Sequence, residues 1–264
     1  ITKYKIFRIA SQTKALISVG IMMLQEEGKL LLSDSLSTHI PEFKNSKVAE
    51  KKSRKRYRIV KAKRPIRIRD LMTHTAGIGY GFGPASNLWK KADLQGWYFA
   101  HKDEPILESI RKMAKLPMEA HPGEAYVYGY NTDILGAVIE VVSGQPLDVF
   151  LKERILDPLG MVDTHFYLPK QKTSRLSVVY NQEDYELVRA EENGDDGSSE
   201  HEVTQGHYVN GPRKSFSGGA GLLSTSSDYA KFLQMLLNGG VYNDHRLLSR
   251  KSVELMTADH MNGD

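Results

Sequence analysis

The chain has no cysteine and only two tryptophans among its 264 residues. Without cysteine it carries no disulfide, no thiolate metal ligand and no thiol nucleophile. Exported and cytosolic proteins alike can lack cysteine, so no compartment follows from this. No apolar run approaches the ~20 residues of a membrane-spanning helix. Several chemical signatures are missing as well: a Gly-x-Ser-x-Gly nucleophile turn, a phosphate-cradling Gly-x-x-x-x-Gly-Lys-Ser/Thr or Gly-x-Gly-x-x-Gly loop, and a His-Glu-x-x-His zinc pair. His201-Glu202 lacks a second histidine four residues on. Neither a cofactor nor a metal is expected.

Charge is plentiful but uneven. Residues 44–69 hold thirteen Lys/Arg against the single acid Glu50, while the whole chain carries only +4, so the remaining positions sum to −8. The basicity is local, and nucleic acid is not an expected partner. Alternation within the basic stretch predicts strands at 57–61 and 65–69, a hairpin inserted at 44–69. An apolar share of 40% and a charged share of 26% suit a globular domain with a real core. The length allows one large domain, and 1–264 is read as one.

A hydroxyl and an amine recur at helical spacing. Ser11-Gln-Thr-Lys14 opens a helix whose apolar positions, Leu16, Val19, Met23 and Leu24, repeat as one face and which Gly28 ends. Residues three apart on a helix are neighbours, about 5–6 Å between β-carbons. A serine at a helix mouth aims its own N–H outward as a donor to a developing oxyanion, and a nearby lysine activates its hydroxyl. The same pattern recurs at Ser109-Ile-Arg-Lys112. There Leu107, Ile110 and Met113 mark the buried stripe, so this copy is read as a surface coincidence.

Ser–Lys chemistry needs a third group to carry the proton to the leaving atom, and tyrosine serves. Tyr208-Val-Asn210 lies in a polar stretch with no helix after it. Tyr128 instead follows the Pro122-Gly123 turn and an aromatic strand, and leads directly into a capped helix from residue 132. Helices are further expected at 105–116, 147–156, 226–238 and 249–257, a strand at 163–168, and a hairpin from 175–180 with 185–189. A long structured loop over 77–99 and a mobile acidic loop over 191–206 complete the expectation.

Six blocks in order resemble the serine β-lactamase and penicillin-binding-protein-like hydrolases. They are Phe7-Arg8-Ile9-Ala10-Ser11-x-x-Lys14, Glu26-Glu-Gly-Lys-Leu30, Arg69 through Gly77, Pro122 through Gly136, Leu156-Asp-Pro-Leu-Gly-Met161 and Ser217 through Thr225. The spacing Tyr128-x-x-x-x-Asp133-Ile-Leu-Gly136 is similar to the family VIII esterases, relatives of class C β-lactamases, and selects Tyr128 over Tyr208. The resemblance implies an α+β, β-lactamase/transpeptidase-like fold, a helical domain with an antiparallel sheet. It implies Ser11 as acyl-accepting nucleophile, Lys14 as its activator and Tyr128 as proton shuttle.

Two departures shape the functional expectation. Tyr130 stands where such β-lactamases carry an asparagine that contacts the substrate amide, and Gly129 replaces a serine. Tyr130 is therefore expected at the substrate, favouring short acyl esters over β-lactams. The family's first strands and helix, and its third motif on a strand that supplies an oxyanion donor, are expected to lie outside this chain. The expected partner is a small ester or amide. Rival readings are a β-lactamase or D-amino-acid peptidase of the same fold, and a non-catalytic penicillin-binding-like protein. Trp89, Trp97, Tyr98 and Phe99 are candidates for an acyl pocket wall, and His74 for a turn-stabilising side chain.

Overall fold

Two internal helices organise the core. The structure, a computed structural model, describes residues 2–53, 56–190 and 206–260. Its helices in chain order are α1 (Thr13–Glu26), α2 (Leu36–His39), α3 (Ile68–Met72), α4 (Ser86–Lys91), α5 (Ile106–Met113), α6 (Asn131–Ser143), α7 (Leu147–Leu151), α8 (Asp157–Leu159), α9 (His207–Asn210), α10 (Ser226–Leu237) and α11 (Arg250–Met256). Helix α1 buries Leu16, Ile17, Val19, Ile21, Met22 and Leu24, almost its whole circumference, as a helix enclosed by others does. It crosses α6 closely at Gly20, where an added β-carbon would lie 2.9 Å from Ile139 Cδ1. Each helix stops on a left-handed glycine: Gly28 (φ +68°) follows α1, and Gly144 (φ +71°) returns its N–H to the Glu140 carbonyl.

The strands form two-stranded antiparallel pairs: β1 (Ile6–Arg8) with β6 (Leu223–Thr225), β2 (Lys47–Ser53) with β3 (Arg56–Lys61), β4 (Tyr180–Glu183) with β5 (Glu186–Arg189), and β7 (Val241–Tyr242) with β8 (His245–Arg246). The mixed class follows the expectation, but among the described residues the sheet is reduced to these pairs. The β1–β6 pair matters most. It joins Ile6 to Thr225 and Arg8 to Leu223, and so ties the entrance of α1 to the start of α10. Thr225 caps α10 by accepting the Asp228 N–H.

Several expected elements differ. The basic ribbon pairs 47–53 with 56–61, not 57–61 with 65–69. Residues 65–69 alternate because Ile66 and Ile68 are buried, yet Asp70 reaches back to the Arg67 N–H at 2.8 Å and starts α3 instead. Asp70 is itself held by a two-pronged contact from Arg64, at 2.7 and 3.0 Å. Residues 163–168 contribute one bridge, His165 to Leu223, rather than a strand. In the 180–189 hairpin Asp184 and Tyr185 both have positive φ and form the turn, so Tyr185 is not in a strand. The aromatic segment before α6 is irregular, pinned by Gly123 N–H to Thr75 O and Val127 N–H to His74 O. The acidic segment 191–205 lies outside the described residues.

Candidate active site

Backbone geometry sets Ser11 first. Ile9 N–H bonds the Leu222 carbonyl at 3.0 Å, extending the β1–β6 register by one residue. Ala10 then takes φ +45°, a conformation that costs a non-glycine residue energy. A 3-10 turn over Ala10–Gln12 delivers Ser11 to the mouth of α1 with its side chain exposed. Thr13, fully buried, locks the corner by accepting the Leu222 N–H.

Three side chains meet at Ser11. The Lys14 amine donates to Ser11 Oγ at 3.1 Å and to the Gly219 carbonyl at 2.7 Å. The Tyr128 hydroxyl donates to Ser11 Oγ at 2.7 Å, across 117 residues of sequence. Lys14 Nζ also sits 4.7 Å from the Tyr128 ring centroid, a cation–π contact. Burial alone would push the Tyr128 phenol up; its hydrogen bonding with Lys14 and Ser11, together with the Lys14 charge, outweighs this and holds it below the ordinary tyrosine value.

A second layer fixes Tyr128. The His74 ring stacks on it, centroids 4.7 Å apart and planes 22° apart. His74 takes φ +56° and accepts at Nδ1 from Asn131 Nδ2 at 3.0 Å. Burial, then the Lys14 charge, lowers the His74 imidazole to about 4, so it is neutral beside the amine. Its ring braces the tyrosine. Tyr80 approaches Tyr128 edge-on at 5.9 Å, and burial raises the Tyr80 phenol well above its ordinary value.

Asp133 anchors the lysine from behind. It is completely buried, and its Oδ1 accepts from Ser217 Oγ at 2.6 Å and Gly219 N–H at 3.0 Å. That fixes the carbonyl to which Lys14 donates. Burial pushes the Asp133 carboxyl up from its ordinary value, against those hydrogen bonds and the Lys14 charge. Sequence spacing flagged Asp133 and the 217–221 segment without giving either a role. The signal was the acid five residues after the tyrosine, on the inward face of α6.

The structure does not bring Tyr130 to this cluster. Tyr130 is 2% exposed, donates its hydroxyl to the Leu94 carbonyl at 3.1 Å, and packs with Tyr80, Trp89 and Phe99. The substrate contact expected of it is corrected: the side chain fills the core. Asn131, the neighbouring amide, is fully buried and bonded to His74, Ile78 and Val127. Gly129 has a steric reason, since a β-carbon there would lie 2.4 Å from the Ile78 oxygen. Trp89, Tyr98 and Phe99 are core residues, and Trp97 alone of the four is exposed. Tyr208 is buried on α9, its hydroxyl given to Ala220 O.

Ser109 is likewise corrected. It is fully buried rather than on the surface, and donates to Glu104 Oε1 at 2.7 Å, while Lys112 pairs with Glu104 Oε2 at 2.5 Å. A groove of about 870 Å³ beside α1, bordered by Ala15, Ser18, Met22, Met72 and Leu255, and a cavity of about 310 Å³ near His165 and Phe216, are not lined by Ser11, Lys14 or Tyr128. Ser11 and Tyr128 are exposed and Lys14 is half-buried.

The family model described as Beta-lactamase matches residues 1–263. Protein Rv1367c of Mycobacterium tuberculosis is 33% identical over 259 residues, covering 97% of this chain and 60% of that protein. Esterase EstB of Burkholderia gladioli is 28% identical, covering 88% of this chain and 57% of EstB. Other relatives are named as a putative D-alanyl-D-alanine carboxypeptidase and an N-acetylmuramyl-L-alanine amidase. Among solved structures, EstCE1, a hydrolase with promiscuous acyltransferase activity, superposes with a TM-score of 0.77 at 25% identity, covering 97% of this chain and 64% of its own. The chain thus spans about 60% of the length of the relatives it matches.

Proposed function

The chain belongs to the β-lactamase family, and from that premise we propose that it carries the acylating half-site of a serine hydrolase acting on small esters. One observation carries the reading: Ser11 Oγ is contacted at once by the Tyr128 hydroxyl at 2.7 Å and the Lys14 amine at 3.1 Å. Two groups able to hold and move its proton converge on an exposed hydroxyl. Esters are favoured because EstB and EstCE1 are esterases or hydrolases by name. In addition, neither Tyr130 nor Asn131 presents an amide-recognising group to a ligand at Ser11.

Two features favour Tyr128 over Lys14 as the base in this reading. Its phenol is the closer group and is held below the usual tyrosine value, whereas Lys14, tied to Gly219 O, supplies charge. In acylation the Tyr128 phenol first gives up its own proton and its hydrogen bond with Ser11 reverses; the phenolate then takes the Ser11 proton while Oγ forms a bond to the acyl carbon. Charge collects on the carbonyl oxygen, toward which the Ser11 N–H at the helix mouth points as donor. Collapse breaks the bond to the alcohol, which leaves with the proton from Tyr128. A water then repeats the sequence: Tyr128 takes its proton, the hydroxyl attacks the acyl carbon, and Ser11 leaves reprotonated.

A chromogenic short-chain ester assayed beside nitrocefin tests the substrate class. The reading expects ester turnover to exceed nitrocefin turnover. Equal or faster nitrocefin hydrolysis would assign a β-lactamase instead, and full activity in Ser11→Ala would remove the mechanism.

A further inference from the structure

The basic ribbon is not used by this chemistry, and its two faces differ. Register pairs Lys47 with Lys61, Ala49 with Ile59 and Lys51 with Tyr57, so these side chains share one face. The opposite face carries Val48 and Val60, packed on the core, and Glu50 opposite Arg58. Glu50, the ribbon's one acid, is committed to Arg58 at 2.6 Å and His121 at 3.0 Å. Lys47 directly opposite Lys61 is a like-charge pair, which weakens a strand pair rather than supporting it.

Nothing among the described residues neutralises the lysine face. Lys47, Lys51 and Lys61 are exposed and none has an ion-pair partner there. The Tyr57 hydroxyl donates to Asn87 Oδ1 at 3.1 Å, which brings α4 alongside. Lys90 and Lys91, three and four residues beyond Asn87, lie on the helix side nearest that contact and are also exposed and unpaired among the described residues. Amid these five lysines Ile59 stands 48% exposed.

We propose that this face docks the chain onto an anionic lipid surface. Charge complementarity supplies the attraction, concentrated here because the rest of the sequence is net acidic. The residue types choose the partner. All five cations are lysines, flexible point charges that do not impose the bidentate geometry of arginine recognition. Lysine stems lie along apolar surface while their heads reach phosphate, and an isoleucine at their centre gains by entering a lipid interface. A free polyanion offers that isoleucine nothing.

The test is co-sedimentation of the chain with phosphatidylcholine vesicles with and without about 30% phosphatidylglycerol, at about 0.1 M salt. The chain is expected to partition onto the anionic vesicles only, and to be released as salt rises. Lys47→Gln/Lys51→Gln/Lys61→Gln should weaken partition roughly a hundredfold, about fivefold per lysine. Ile59→Ser should weaken it several-fold with an unchanged salt dependence. Unaltered far-ultraviolet ellipticity and unaltered fluorophosphonate labelling at Ser11 separate this result from misfolding and from the hydrolase reading. No anionic-lipid dependence, or equal partition by the triple variant, would overturn the proposal. Unchanged partition of Ile59→Ser together with full displacement by heparin would overturn it in favour of a soluble polyanion.

Discussion

At Ser11 an exposed hydroxyl accepts from a phenol and an amine; at Ser109 a buried hydroxyl donates a hydrogen bond to a carboxylate. Both serines have a lysine three residues on, and both sit at helical spacing. What differs is the third partner. Tyr128 and Lys14 both turn toward Ser11, whereas Ser109 and Lys112 each contact a different oxygen of Glu104. The second arrangement is a saturated structural contact, since the serine proton is committed and no substrate reaches it. The comparison teaches that the quartet is only a spacing, and that chemistry comes from groups over a hundred residues away.

Substitution breaks the comparison most sharply at the serines. Ser11→Ala should lower ester turnover by at least ~10⁴-fold, and Ser109→Ala should leave turnover unchanged, as steady-state kinetics on both variants will show. Tyr128→Phe and Lys14→Ala come next, each expected to cost about 10²–10⁴-fold. Lys112→Ala should cost no activity, and as half of an exposed pair no more than ~1 kcal/mol of stability. Asp133→Ala should lower activity about tenfold by releasing the Gly219 carbonyl that holds Lys14. It should also destabilise the fold by about 1–3 kcal/mol, because Ser217 Oγ and the Gly219 N–H lose their acceptor in the core. Denaturant unfolding beside kinetics separates the two effects. Ser109→Ala should cost a similar ~1–3 kcal/mol with no kinetic change, the buried bond to a carboxylate being purely structural.

pH sharpens the same contrast. His74, stacked on Tyr128, has its imidazole lowered from 6.5 to about 4, burial first and Lys14 second. Between those values the unfolded chain binds a proton that the folded chain refuses, so stability falls as pH drops from about 6.5 toward 4. His101 and His165, also lowered to about 4 mainly by burial, add to this. Burial raises Glu104, but Lys112 and Ser109 outweigh it and hold its carboxyl below 4.5, so its contribution persists above that value and is lost only in stronger acid. Hydrogen exchange should therefore show the Tyr128 region loosening at higher pH than α5. Simultaneous loosening would contradict this ordering.

Much of the site was readable as sequence because it rests on local devices. A left-handed glycine ends α1 and α6, and the apolar repeat marks α1, so Ser11 and Lys14 could be placed on one helix face. Tyr128 could be placed through its corner before α6. What failed depends on distant partners. The Ile66 and Ile68 alternation reads as a strand until Asp70 reaches back to the Arg67 N–H. The β2 strand is hidden because lysines occupy its outward positions, and only Val48 and Ala49 are buried. Tyr130 looks like a substrate contact in sequence, but the direction of its side chain depends on a pocket made by Trp89, Phe99 and Leu94 O. Asp133 is marked in sequence only by its spacing from Tyr128, and its role depends on a turn 84 residues later.

The most direct measurement is covalent labelling with a fluorophosphonate followed by peptide mapping. An activated Ser11 predicts stoichiometric modification at Ser11, none at Ser109, and loss of labelling in Tyr128→Phe. Labelling at another serine, or undiminished labelling of Ser11 without Tyr128, would contradict the account.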